Sequence, residues 1–170
     1  EIIQKTKLSR MTINRAMREL IQLGVVYTNG KNTRKEYKRL EKEKYWSIGK
    51  KYLKSPVKKA IWITQEKIDE VYAGDSALEH LTMMNAFEYK VYAIDKRNID
   101  KYISYEIPEQ SQNCCKVEIW NYDPQLFADE NNNVDIISLY SSFMNLDDER
   151  VHIELEELME EYLNDRIRKV

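Results

Sequence analysis

The stretch Ser9-Arg-Met-Thr-Ile-Asn-Arg-Ala-Met-Arg-Glu-Leu-Ile-Gln-Leu-Gly24 decides how the amino-terminal third of this chain is read. Ser9 is a strong N-cap candidate, because its hydroxyl can accept a first-turn N–H that lacks a partner inside the helix. Ile13, Ala16, Met17, Leu20 and Ile21 fall at i, i+3, i+4, i+7 and i+8, one apolar face of a helix. Met11, Asn14, Arg15, Arg18 and Gln22 fall on the opposite face, with Arg10 flaring from the first turn. Gly24 closes the helix, where a left-handed conformation costs glycine nothing. One side is greasy, and the other offers Arg and Asn, the side chains that pair with guanine and adenine edges.

The flanks extend this pattern. Glu1 to Lys5 is expected to end a supporting helix, and Thr6-Lys7-Leu8 to form a tight turn with Leu8 plugging the angle between the two helices. After Gly24, Val25-Val26-Tyr27-Thr28 is β-prone and Asn29-Gly30 is a turn dipeptide. Lys31-Asn-Thr-Arg-Lys35 forms a basic tip, and Glu36-Tyr37-Lys38 a return strand. Helix, turn, capped basic helix and cationic hairpin is the order of a winged helix-turn-helix.

Ser9 to Val26 resembles the recognition segment of bacterial winged-helix regulators, which show a Ser-Arg-x-Thr start, an Arg-Ala mid-helix and a Glu-Leu-x-x-Leu-Gly-Val exit. The resemblance implies a DNA-binding unit and a transcriptional repressor. In that frame Arg10, Asn14 and Arg15 meet base edges of double-stranded DNA. Lys7, Thr12, Arg18 and the wing residues Lys31, Arg34 and Lys35 meet phosphates or the minor groove, with Ser9 and Met11 on the same surface. Because the motif starts at its second helix, the natural protein is expected to extend upstream of Glu1.

The net charge of −2 conceals an asymmetry. Residues 1–60 hold 17 Lys and Arg against 5 Asp and Glu, whereas residues 61–170 hold 10 against 24. Such a split suits one half to a polyanion and the other to a different partner. At 170 residues, 33% of them charged, with 4 Gly and 3 Pro, the chain has the composition of an ordered, charge-rich protein of one or two small domains. Neither a membrane-length apolar run nor a signal-peptide pattern is present, which fits a cytoplasmic location.

The expected fold class is α+β: an amino-terminal winged helix-turn-helix over residues 1–55, then a small mixed α/β domain with carboxy-terminal helices over 56–170. Leu40 to Lys54 reads as a basic, aromatic linker helix with Leu40, Tyr45, Ile48 and Tyr52 in a stripe, ended by Ser55-Pro56. Val57–Thr64, Tyr89–Ile94 and Cys115–Trp120 read as strands, the last with Cys115, Val117 and Ile119 on one face. Short helices are expected over Gln65–Tyr72, from a cap at Asp75 to Met84, and over Ile99–Ile103. Pro108 to Asn113 and Glu130 to Asn133 read as loops, and Asp123-Pro124 starts a turn of helix. Asp135 caps Ile136–Met144, and a last helix from Asp147 carries Val151, Leu155, Leu158, Met159 and Tyr162 inward.

Gly74-Asp-Ser-Ala-Leu78 before a Met83-containing helix resembles the effector portion of AbiEi-type antitoxin regulators. So do Val134-Asp-Ile-Ile-Ser-Leu-Tyr140 and Asp147-Asp-Glu-Arg-Val151 before a long acidic helix. That resemblance implies a winged helix followed by an α/β domain, autorepression, and an antitoxin role against a partner protein.

Enzymatic chemistry finds little support. His80 and His152 lie far apart without His-Glu-x-x-His spacing, no glycine-rich phosphate loop exists, and Ser76 lacks the glycine pattern of a nucleophile elbow. Adjacent Cys114 and Cys115 suggest neither a disulfide scaffold nor a zinc site. No catalytic residue, metal or cofactor is expected. Residues 147–165 are acidic, with Arg150 the lone Arg or Lys, so phosphate is repelled there and a protein partner is the alternative to a solvated face. For a homodimer, Leu139, Tyr140, Phe143 or the strand edges are the expected seam.

Overall fold

In the computed structural model residues 4, 6, 8–29, 36–65, 68–85 and 87–164 are described, and the chain falls into two units, Glu1–Leu53 and Lys54–Val170. Both helices and sheets are present, so the class is mixed α+β.

In the first unit, helix α1 (Arg10–Gln22) begins where Ser9 Oγ accepts the Thr12 N–H at 3.1 Å. It ends at Gly24, whose φ of 73° turns the chain. There the Gly24 N–H donates to Ile21 O at 2.9 Å and the Val25 N–H to Leu20 O at 3.2 Å, a glycine-dependent stop. Strands β1 (Val26–Asn29) and β2 (Glu36–Arg39) pair antiparallel, from Val26 opposite Arg39 to Asn29 opposite Glu36.

The apolar stripe of α1 is only partly covered. Ile13, Met17 and Leu20 are half-buried, Ala16 and Ile21 are exposed, and no residue of the helix is buried. The five-residue face expected from periodicity is therefore too wide. Among the described residues of this unit only Val25 and Val26 are buried, a small surface for the stripe to pack on. Leu8 is 48% exposed, and the supporting helix expected to end over Glu1 to Lys5 lies, apart from Gln4, outside the described residues. Helix α2 (Lys42–Gly49) tightens into a single turn, Lys50–Tyr52, before Ser55-Pro56. Leu40, Tyr45 and Ile48 are half-buried, and Tyr52 is exposed.

The second unit is built on five strands: β3 (Val57–Ile63), β4 (Val71–Tyr72), β5 (Lys90–Asp95), β6 (Glu106–Ile107) and β7 (Cys115–Trp120). Their order is β4-β5-β7-β3-β6, parallel between β5 and β7 and antiparallel elsewhere. One face carries Val71, Val91, Ala93 and Trp120 beneath α3 (Gly74–Leu81), α4 (Ile136–Ser142) and α5 (Glu149–Leu163). The other carries Ile61, Ile63, Tyr92, Ile94, Cys115, Val117 and Ile119. Ile68 joins them, and Ile99, in the short helix Lys96–Lys101 after β5, and Tyr102, at its end, pack on them.

Three sequence expectations are corrected. Val71 and Tyr72 are a strand, not the end of a helix, because this β-branched and aromatic pair takes the sheet edge opposite Ala93 and Tyr92. Asp75 does not cap α3. The helix opens at Gly74 behind Ala73, with no side-chain cap, and Asp75 lies inside its first turn, accepting from the Tyr89 hydroxyl at 3.4 Å. The helix stops at Leu81 rather than Met84, since Thr82 is extended and its hydroxyl donates to Leu78 O at 2.8 Å. The later helices follow expectation at their starts. Asp135 accepts the Ser138 N–H at 3.0 Å, and Asp148 those of Arg150 and Val151 at 3.0 and 3.2 Å.

Gly74 is required by space as well as by its φ of 47°. A Cβ there would stand 3.0 Å from Val91 Cγ1 and 3.1 Å from Glu118 Oε1. Glu118 is itself buried on β7, its Oε2 accepting the Trp120 indole N–H at 3.0 Å. Burial pushes its carboxyl above the ordinary value of 4.5, against the indole bond and Lys116. A folded-state carboxyl that keeps its proton longer than the unfolded one contributes stability in full at low pH. That contribution is lost as pH rises from about 4.5 through the folded-state value. Glu118→Gln keeps an oxygen for the indole and removes this titration. Its stability relative to the parent, measured by urea unfolding, is expected to grow as pH rises toward neutrality; parallel pH profiles would show that Glu118 is not strained by its burial.

Candidate nucleic-acid interface

At 100° per residue, Arg10, Met11, Asn14, Arg15 and Arg18 fall within an arc of about 140° on α1, with half-buried Ile13 and Leu20 on the other side and half-buried Met17 bordering the arc next to Arg10. All five are exposed, Met11 at 81%. Helix geometry thus brings together the base-reading set expected from sequence, Arg10, Asn14 and Arg15, with Arg18 beside it.

Arg15 Nε donates to Glu19 Oε1 at 3.2 Å, one turn along, with both side chains mostly in water. An exposed pair of this kind contributes little, so a stronger acceptor can displace it. Ser9 and Thr12 share one device. Besides the cap bond, their hydroxyl oxygens lie 2.9 Å apart, which holds both at the helix N-terminus, where free N–H groups favour a phosphate.

The hairpin adds cations outside the set expected from sequence. Lys38, opposite Tyr27, and Arg39, opposite Val26, are exposed on β2. The sequence already puts Lys38 on the expected return strand, and the pairing of β2 extends that strand to Arg39. Lys7, Lys31, Arg34 and Lys35 lie outside the described residues.

The second unit offers a contrasting surface. On α5, Glu154, Glu157 and Glu161 line one groove with His80 and with Met83, which is 94% exposed. His80 Nδ1 lies 2.8 Å from Asn133 Oδ1, and its ring meets Tyr72 edge-on at 4.7 Å, so it is held by structural partners. Burial raises the Asp75 pKa against the pull of nearby Lys116. Ser76 accepts the Val91 N–H at 2.8 Å, tying α3 to β5. Cys114 and Cys115 are free and buried, and burial pushes the Cys115 thiol up to about 12, far from a reactive thiolate. Among the described residues no group of three or more His, Cys, Asp or Glu side chains is placed to hold a metal ion, and no helix is long and apolar enough to cross a membrane. Leu139 and Phe143 lie in the core and half-buried Tyr140 packs against it, so these residues do not form a free dimer seam.

No protein-family model matches the chain, and no curated protein or solved structure is detectably similar to it.

The double use of Ser9 can be separated experimentally. Ser9→Ala is expected to cost about 0.5–2 kcal/mol in the stability of the amino-terminal unit through loss of the cap. Ser9→Asp keeps the cap and restores stability while weakening binding to duplex DNA by placing a carboxylate against phosphate. Chemical denaturation and a fluorescence binding titration on the same two variants check this; equal DNA affinity for the Asp variant and the parent would remove Ser9 from the interface.

Proposed function

We propose that the chain is a sequence-specific, DNA-binding transcriptional regulator of the cytoplasm, a repressor, whose amino-terminal unit is a winged helix-turn-helix with α1 in the major groove. The observation that carries this reading is the face of α1. Three arginines, an asparagine and a methionine stand exposed on one arc of a helix that is fixed at both ends and has no fully buried residue. Arg10, Asn14 and Arg15 read base edges, and Thr12 and Arg18 hold phosphates on either side. The β1–β2 hairpin is the wing, and its strand cations Lys38 and Arg39 join Lys31, Arg34 and Lys35 on the backbone. The excess of basic over acidic residues in 1–60 supplies the nonspecific attraction. The proposed role needs no catalytic group, metal or cofactor.

A second reading rests on the acidic groove of α5. Three glutamates around an almost fully exposed methionine suit a basic, partly apolar protein surface. This supports an AbiEi-like antitoxin in which the carboxy-terminal unit holds the partner while the amino-terminal unit governs transcription. The two roles are compatible in one chain.

Selection of bound sequences from random duplex DNA tests the first reading directly; recovery of no consensus would reject sequence-specific recognition. Given a consensus, Arg15→Ala is expected to relax choice at one base position by about 1–3 kcal/mol. A loss spread evenly over all sequences would instead place Arg15 on the DNA backbone. Replacing Lys31, Arg34 and Lys35 together by Ala is expected to weaken binding to any duplex and flatten its salt dependence by about 0.9 for each phosphate no longer neutralised. An unchanged slope would detach the hairpin tip from DNA.

A further inference from the structure

A cavity of about 610 Å³ lies within the second unit beside the start of α4, a volume typical of small-molecule sites. Its walls include Leu81 at the end of α3, Val134 and Ile137 around the α4 cap, and Phe127 from the turn Pro124–Phe127. Phe127 is 57% exposed and Tyr122, also in the wall, 37%. Large rings left beside an open apolar cavity gain burial when something fills it.

The charged groups of the wall have one sign. Asp129 and Asp135 line the cavity, and among the described residues no Lys, Arg or His does. Two of the three hydroxyls in the wall, those of Tyr122 and Ser138, are already committed. The Ser138 hydroxyl donates to Asp135, and the Tyr122 and Ser138 oxygens lie 2.6 Å apart, so the Tyr122 proton is directed to Ser138. Burial raises the Tyr122 pKa, which keeps that proton in place. Asp129 is held by its own loop, accepting the N–H groups of Asn131 and Asn133 at 2.9 and 2.8 Å and the Asn133 side-chain amide at 3.0 Å. An anion entering here meets two carboxylates and no free donor on those hydroxyls. An apolar body with a positive charge meets the apolar side chains and the two carboxylates of this wall as complements.

We propose that this cavity is a binding site for a hydrophobic organic cation, with the aromatic or branched apolar part seated against Phe127, Leu81 and Ile137 and the charge turned to Asp129 and Asp135. The site is independent of the DNA-binding reading, since it lies wholly in the carboxy-terminal unit.

Tetraphenylphosphonium and tetraphenylborate, ions of nearly the same size and opposite charge, test the proposal on the full chain by calorimetry. The phosphonium is expected to bind at one site per chain, about ten-fold or more tighter than the borate. Binding should quench or shift tryptophan emission, because Trp120 meets Tyr122 edge-on at 5.6 Å. Phe127→Ala, at an exposed position that the fold tolerates, is expected to weaken phosphonium binding about five-fold or more, as is Asp129→Asn. Glu157→Gln with Glu161→Gln, on α5 outside the cavity, leaves it unchanged. Equal affinity for the two ions, absence of binding up to millimolar phosphonium, or binding that survives Phe127→Ala but falls in the α5 variant would each overturn the assignment, the last by moving the cation to the acidic helix surface.

Discussion

Strand β7 is hydrogen-bonded along both edges, antiparallel to β3 and parallel to β5, and five of its six residues are buried. The parallel partner is the constraint that arranges the rest of the carboxy-terminal unit. Neighbouring antiparallel strands can be joined by a tight turn, but a parallel pair needs a connection that crosses the sheet. Residues 96–114 make that crossing without a long helix. Asp95, buried at the end of β5, accepts the Arg97 N–H at 2.8 Å and pairs with its guanidinium, which holds the carboxyl below the usual carboxylate range and starts the first tight turn. The turns that follow lay Ile99 and Tyr102 over the face formed by Val117 and Ile119, and two residues, Glu106 and Ile107, then add a strand beside β3.

The opposite face shows what a buried carboxylate demands. Glu118 sits between apolar neighbours and under Gly74, and its cost is offset by the indole of Trp120, fully buried on the same side of the same strand. The close approach of α3 to β5 and β7 follows. A larger residue in place of Gly74 would crowd the Val91 and Glu118 side chains and strain a backbone held at a φ of 47°, two residues before the Ser76 bond to the Val91 N–H. A glycine, a serine and a glutamate therefore act as one packing unit.

Much of this fold was legible because its signals are local. The strands Val57–Ile63 and Cys115–Trp120 and the caps Ser9 and Asp135 depend on residues close in sequence, and each leaves a pattern of two or of 3.6 residues or a cap before an apolar run. What escaped depends on distant partners. Val71-Tyr72 is a strand only because β5 lies beside it, and β6 exists only because β3 has a free edge. Asp75 has the composition of a cap, but the approach to Glu118 and Val91 places glycine first and moves the aspartate inside the helix. For the candidate site, the cationic arc of α1 was written in its spacing and Lys38 in the expected return strand, whereas Arg39 joins the hairpin only once β2 is paired. The cavity beside α4 joins residues from 81 to 162, which no local pattern connects.

The exposure of α1 bears on how such a helix can work. Thirteen residues form a marginal helix in isolation, and this one has no fully buried side chain to anchor it. Its definition comes from its ends, the Ser9 and Thr12 hydroxyls at one and the Gly24 stop at the other, with three half-buried side chains between. Among the described residues, the outward arc makes one intramolecular side-chain bond, the weak Arg15–Glu19 pair. Guanidinium groups held in water on a backbone already helical lose less freedom on meeting a groove than groups whose backbone must first be ordered. A polyanion that binds this arc also stabilises the helix that presents it, because binding to the folded form alone draws the equilibrium toward it. Any polyanion binding at this arc is thereby linked to the stability of the helix and is weakened by the salt that screens the arginines.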